Sequence, residues 1–310
     1  MALSGSRVLN VGLHLPTWEK STGGTTYRWA DIFALAQYAE AIGFDSISAG
    51  DHLLVDFGDE ERIGLWDTWS MLSALAASTS RVEIALVVAA TAYRNPALLA
   101  KMADTVNEIS GGRLVLGLGA GWHEPEFRSF GFPFDHRASR FEEALTIITA
   151  LLREGAVDFE GRFYQARECE LRPRGPRPNG PPIMIGSKGP RMMRLTAQYA
   201  DMWNRDFGPD NAISDLPGWR AKVDAACAEV GRDPATLERT AAVWVDLPGA
   251  PRREDFGALH GSLEEISDSL LAFANEGFTQ LYIWPEPLTL AGIEAFAPIL
   301  EALHQGRVGV

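Results

Sequence analysis

The sequence predicts an α/β protein, a closed (β/α)8 TIM barrel folded as a single domain over residues 1–310. Three observations carry this reading. Eight short apolar runs each precede a segment with apolar residues at helical spacing. No compositional break between them is long enough to be a domain linker. Polar residues collect after many of the runs, as a ring-shaped site at the carboxyl ends of barrel strands requires. An open doubly wound sheet with extra pieces is the alternative arrangement of the same units.

Residues 8–15 read as the first strand, and the loop 16–26 after it is rich in Gly, Ser and Thr. Residues 29–42 carry Ile32, Phe33, Leu35, Ala36 and Ala39 at helical spacing and stop at Gly43. Residues 44–49 form the second strand, which ends at Gly50, Asp51 and His52. After an acid-bearing loop, 53–65, Asp67 is placed to cap a helix over 68–77. Residues 82–89 are nearly all apolar, the pattern of a parallel strand buried on both faces. Pro96 suits the first turn of a helix that continues over 97–109. The fourth strand is 114–118 and its amphipathic helix 139–152. The rhythm then breaks. Residues 157–171 read as a β-hairpin turning at Glu160 and Gly161, and a Pro- and Arg-rich connector follows, so 155–181 form an insertion near the barrel mouth. Alternation resumes with strands at 183–185, 202–204, 237–245 and 279–284, and helices at 191–199, 219–230, 262–275 and 290–304.

Composition narrows the function classes. With 46% hydrophobic and 22% charged residues, a chain of 310 residues buries a core without staples. A net charge of −13 argues against nucleic acid and anionic membranes as main partners. Two cysteines, Cys169 and Cys227, make neither a disulfide framework nor a metal-ligand cluster. The sequence opens without a long apolar h-region, and no apolar run is long enough to span a bilayer. A cytoplasmic location is the expectation.

The chemistry centres on residues 111–134, GGRLVLGLGAGWHEPEFRSFGFPF. A buried strand ends in Gly117, Gly119 and Gly121, where backbone must bend or approach something flat or phosphorylated. Trp122, His123, Glu124 and Glu126 then crowd the exit loop. Asp51 and His52 occupy the matching end of the second strand, where a histidine can move a proton near neutral pH. Gly186, Ser187, Lys188, Gly189 and Pro190 follow a strand and open a helix near Arg191. Amides at such a helix start, with a lysine beside them, suit an anion such as a coenzyme phosphate.

Four groups of residues resemble the bacterial luciferase-like superfamily, and most of all its branch that depends on the deazaflavin coenzyme F420. They are Asp51-His52; Tyr93-Arg94-Asn95-Pro96 leading to Ala100-Lys101-Met102; Gly111-Gly112-Arg113 through Gly121-Trp122, Glu124 and Glu126-Phe127-Arg128; and Pro181-Pro182-Ile183 through Gly189, with Ala200-Asp201 and Trp203-Asn204. The resemblance runs from the first strand to about the sixth helix, and the last third of the chain is generic. It implies that Asp51 and His52 touch the coenzyme ring and the substrate. It implies a non-proline cis peptide among Leu86, Val87 and Val88, pressed against the back of the ring. Ala120, Gly121 and Trp122 would line the ring's edge. In relatives that oxidise sugar phosphates with F420, a glutamate proton donor stands where this chain has Trp122. Glu124 or His123 is the available substitute, and a more apolar substrate is implied. Trp18, Trp66 and Trp69 are candidate neighbours of that substrate, with helix packing or a dimer seam as the competing use of Trp66 and Trp69. A homodimer through the second and third helices is a family-level expectation.

The leading expectation is an oxidoreductase that moves a hydride between F420 and a small organic substrate, with His52 and Glu124 as catalytic residues. The alternatives are a flavin mononucleotide (FMN) monooxygenase, which takes reduced flavin from a partner reductase and uses oxygen, and a flavin-binding protein without turnover. The 155–181 insertion is either a lid over the site or edge packing.

Overall fold

Eight parallel strands close on themselves in the computed structural model, which describes residues 8–56, 62–206, 208 and 213–305. They are β1 (Asn10–His14), β2 (Ser46–Ala49), β3 (Glu83–Leu86), β4 (Leu114–Gly119), β5 (Ile183–Gly186), β6 (Met202–Asp206), β7 (Glu238–Asp246) and β8 (Gln280–Glu286). Each pairs with the next in chain order, and β8 pairs back onto β1. The helices around them are α1 (Trp29–Ile42), α2 (Thr68–Ser78), α3 (Pro96–Ile109), α4 (Glu124–Phe130), α5 (Arg137–Glu154), α6 (Pro190–Tyr199), α7 (Leu216–Glu229), α8 (Leu263–Asn275) and α9 (Leu290–Gln305). The expected (β/α)8 barrel is therefore the observed fold, and the open sheet is excluded by closure.

Side-chain alternation builds two cores from one ring of strands. Val11, Leu13, Val243, Leu281 and Ile283 belong to the large cluster that also contains the helix residues Leu35, Leu72 and Phe296. Residues of the other parity fill the interior of the barrel, where Ala85, Val115, Met184, Met202 and Tyr282 pack together. The helix ends follow local chemistry. Asp67 accepts the Ser70 N–H at 2.8 Å, and Asn95 accepts from Ala97 and Leu98 ahead of Pro96. Arg113 belongs to the bottom of the barrel rather than to a site. Its guanidinium donates to the carbonyls of Ala76, Thr79 and Val82, fastening the end of α2.

Three local departures from the sequence reading matter for the site. The run 82–89 is interrupted: β3 stops at Leu86, the Val87–Val88 peptide is cis, and Ala89–Ala90 then pairs beside the end of β4. The exit of β4 holds a short helix, α4, where a loop was expected. Its signals are Pro125 in the first turn, acids at the amino end, and Gly131 in left-handed conformation as C-cap. The insertion forms a hairpin, Ala156–Glu160 with Gln165–Glu170, as expected. Backbone N–H groups of Arg162, Phe163 and Tyr164 all donate to Glu143 of α5, which pins the hairpin tip to the outside of that helix.

Candidate active site

The carboxyl ends of the strands surround a cavity of about 1030 Å³ to which all eight contribute directly or through their exit loops. That is at the upper end of the range for small-molecule sites, roughly 300–1,000 Å³, and leaves room for a cofactor and a substrate together. Asp51, His52, Val87, Val88, Ala120, Gly121, Trp122, Gly186, Ser187 and Lys188 all line it, as does Trp18.

His52 stands at the exit of β2 with its side chain 29% exposed. Its Nδ1 is 2.9 Å from Oε2 of Glu126 on α4, a carboxylate with no exposed surface. Glu126 also accepts from the Tyr93 hydroxyl and from the backbone N–H groups of Leu53 and Leu54. Burial alone would push this carboxyl up. The hydrogen bonds and the charge of His52 outweigh it and hold Glu126 at about 2. A permanent anion therefore sits behind a histidine that faces the cavity. Trp122 packs edge-on to His52 at 5.4 Å.

Asp51 is buried beside His52 and takes both Arg94 Nη atoms, at 2.6 and 3.1 Å. Burial still raises its carboxyl to about 6 against the pull of the guanidinium. His14, at the end of β1, was not singled out in the sequence. Burial, and then the nearby His52, lower its pKa well below the ordinary value, so it is neutral at pH 7. Its Nδ1 shares a hydrogen bond with Ser48 Oγ at 3.0 Å.

One wall of the cavity is flat and apolar because three glycines permit it. A Cβ on Gly117 would stand 1.8 Å from the Leu86 carbonyl, and one on Gly119 2.8 Å from Val88 Cγ2. Gly121 has φ +75°, and its Cβ would strike the Phe127 ring at 2.3 Å. These glycines let the break after β3 press against β4 and turn Val87 and Val88 into the cavity. Beyond them, Gly186, Ser187 and Lys188 lead into α6, whose N-cap Gly189 offers no side-chain cap to the first turn. The flat wall, the uncapped amides, and Lys188 and Arg137 in the lining fit a planar anionic cofactor such as F420 or FMN.

Residues 9–247 match the family model described as luciferase-like monooxygenase. The chain belongs to the luciferase-like monooxygenase family. It is 33% identical over 210 residues to pyrimidine monooxygenase RutA of Cronobacter sakazakii, covering 64% of this chain and 60% of the relative. It thus spans less than two thirds of that relative's length. Among solved structures, an F420-dependent secondary alcohol dehydrogenase in complex with an F420-acetone adduct superposes with a TM-score of 0.80 at 19% identity, over 95% of this chain and 99% of the other. EDTA monooxygenase (EmoA) from Chelativorans sp. BNC1 gives 0.78 at 14% identity, over 96% and 94%. At these identities both establish the shared barrel alone.

Within this luciferase-like barrel the sequence-derived residues divide. Leu86 lies in β3 and lines no part of the cavity, its carbonyl lying against Gly117 instead. Gly189 and Pro190 are exposed at the start of α6, outside the lining. Glu124 needs correcting as a catalytic candidate: the first turn of α4 turns it to solvent, away from the cavity. Its neighbour two residues on, Glu126, points inward. His123 is buried and faces Asp56, with Nε2 3.6 Å from Oδ1. Trp69 is a core residue, and Trp66 donates its indole N–H to the Tyr27 carbonyl outside the cavity. Among the lining residues missed altogether are His14, Arg137, Trp244, Arg253, Phe256, Trp284 and Glu286. A signal existed for three of them, since His14, Trp244 and Trp284 stand at or near the ends of strands.

Proposed function

We propose that this luciferase-like protein is an oxidoreductase that transfers a hydride between F420 and a small organic substrate in the barrel-mouth cavity. One observation carries the reading: His52 faces the cavity while the buried Glu126 anion holds its other side. When bound, F420 supplies or accepts the hydride at its reactive ring carbon. The residues of the chain bind, orient and exchange the accompanying proton. Val87, Val88 and Ala120 offer a flat apolar face for a tricyclic ring. Lys188 and the first-turn amides of α6 offer charge and donors to a phosphate-bearing tail. His52 gives or takes the proton at the substrate oxygen. Glu126 fixes the imidazole's orientation, with the Tyr93 hydroxyl bracing the same carboxylate. The buried Asp51–Arg94 pair holds the start of the β2 exit loop in place.

A second reading is favoured by the RutA relative at 33% identity, a protein named as a monooxygenase. In that reading the same cavity takes reduced FMN from a partner reductase and oxygen is the co-substrate. Turnover separates the two. The purified chain is incubated with F420 and a panel of small alcohols, aldehydes and cyclic substrates, and the deazaflavin absorbance is followed. A parallel set contains reduced FMN and an oxygen electrode. Substrate-dependent F420 reduction or oxidation supports the first reading. Substrate-dependent oxygen uptake with FMN alone overturns it in favour of the second.

A further inference from the structure

The cavity has a second wall, and it is made of rings. Phe256 lies 4.8 Å from Trp244, Trp244 5.2 Å from Trp284 at an interplanar angle of 22°, Trp284 4.0 Å from His14, and His14 5.9 Å from Trp18. All five line the cavity. Strand register places them side by side. Trp244 of β7 is paired with Trp284 of β8, and His14 follows Leu13, the β1 partner of Ile283. The inward positions at the mouth of three adjacent strands are thus all aromatic. In a closed ring of eight, β8 stands opposite β4, so this row faces the wall of Val88, Gly119 and Ala120 across the cavity.

A carboxylate stands farther along β8, beyond the middle ring of the row. Glu286 follows Trp284 by two residues, lines the cavity and has its side chain 20% exposed. Its ion partner, Arg253 Nη1, is 3.8 Å away, beyond hydrogen-bond reach. Arg253 is engaged elsewhere: Nε donates to Asp246 at 2.6 Å, and Nη2 to the carbonyls of Val245 and Trp284. Its guanidinium also lies 4.7 Å from the Trp244 ring centre. Lys20, on the exit loop of β1, also lines the cavity but is exposed, so water screens its charge. Neutral His14 adds no charge.

We propose that the row from Phe256 to Trp18 is the substrate subsite, and that the substrate is a planar aromatic or heteroaromatic molecule presenting an N–H, O–H or ammonium donor to Glu286. The assignment rests on the reading that the cofactor ring lies on the opposite wall. Indole faces and edges reward a flat π-system beyond its buried area, and an ammonium group gains further from the ring quadrupoles. An aromatic carboxylate of the same size fits the rings but meets Glu286 with like charge and is rejected.

Isothermal titration of the full chain, with and without F420, tests this with tryptamine, 2-cyclohexylethylamine and 2-naphthoate as probes. The expected result is tryptamine binding at least tenfold tighter than either of the others. Glu286→Gln raises the tryptamine Kd about tenfold and leaves F420 affinity unchanged. Trp244→Ala also weakens tryptamine, while Trp244→Phe, which keeps a ring, retains it within about threefold. Equal affinity for tryptamine and either comparison probe, or an unchanged Kd in Glu286→Gln, overturns the assignment. If F420 binds normally and no aromatic probe does, the subsite alone is wrong. If F420 does not bind while tryptamine does, the F420 reading fails and the aromatic site stands.

Discussion

His52 and Glu126 meet at 2.9 Å although 74 residues separate them in the chain. The contact joins the exit of β2 to α4, and it gives a cavity-facing histidine a fixed anion behind it. In the proposed reaction His52 acts as a general acid–base, and such groups contribute about 10²–10⁴-fold to turnover. His52→Ala is therefore expected to lower kcat by at least about a hundredfold, with the F420 dissociation constant changed only severalfold. Glu126→Gln, which keeps shape and loses charge, is expected to fall between His52→Ala and the unaltered protein. Steady-state kinetics paired with fluorescence titration check both. Unaltered kcat in His52→Ala removes the proton role.

Glu126 also links stability to pH. Its carboxyl is held at about 2 in the folded protein against an ordinary 4.5. Between those values the unfolded chain binds more protons than the folded one, so stability rises with pH there. The contribution is complete above about pH 4.5 and is lost as pH falls towards 2. Urea midpoints measured from pH 5 to pH 3 are expected to drop less steeply for Glu126→Gln than for the unaltered protein.

Asp51 runs the other way. Burial raises its carboxyl from 3.8 to about 6 despite Arg94. From about pH 4 to about pH 6 the folded state holds the extra proton, so this group's contribution to stability declines as pH rises through that window. Infrared difference spectra are expected to show a protonated carboxyl that titrates near pH 6 and disappears in Asp51→Asn. A midpoint near 4 contradicts the assignment.

The glycines of β4 make a sharper structural prediction. A Cβ at Gly117 would stand 1.8 Å from a backbone carbonyl that cannot swing aside. Gly117→Ala is expected to cost about 1–3 kcal/mol, as overpacking does. Gly189, with open space around it and a negative φ, is the control, and Gly189→Ala is expected to cost less than Gly117→Ala because no atom stands in the way of the added methyl. Chemical denaturation of the two variants side by side checks the contrast.

Much of this was legible in the sequence, for physical reasons. Buried parallel strands read as continuous apolar runs, and Gly43, Asp67 and Pro96 mark helix ends by chemistry that does not depend on tertiary context. His52 and the segment from Gly186 to Lys188 stood out because polar residues directly after buried strands have few uses other than a site. The sequence does not distinguish Glu124 from Glu126, because only the seven-residue helix turns one acid outward and the other inward, and so short a helix is not visible in the residue pattern. His14, Trp244 and Trp284 were missed for a different reason. In a strand buried on both faces, composition does not reveal which parity faces the barrel axis, and only the register brings the three rings together.

The proposed anchoring of a cofactor tail at Lys188 carries a prediction of its own. Lys188 lines the cavity just ahead of α6. Lys188→Ala is expected to weaken F420 or FMN binding about tenfold, with a smaller salt dependence of the remaining affinity, because a charge–charge contact is what salt screens. Titrations at two ionic strengths measure both effects.

The most direct measurement is a fluorescence titration of the full chain with F420, run beside FMN, on the unaltered protein and on Val88→Trp, which fills the flat wall. The expected result is saturable quenching of F420 at micromolar concentration, abolished by Val88→Trp. If F420 fails to bind, or binds Val88→Trp as tightly as the unaltered protein, the cavity between β3, β4 and β5 is not its site.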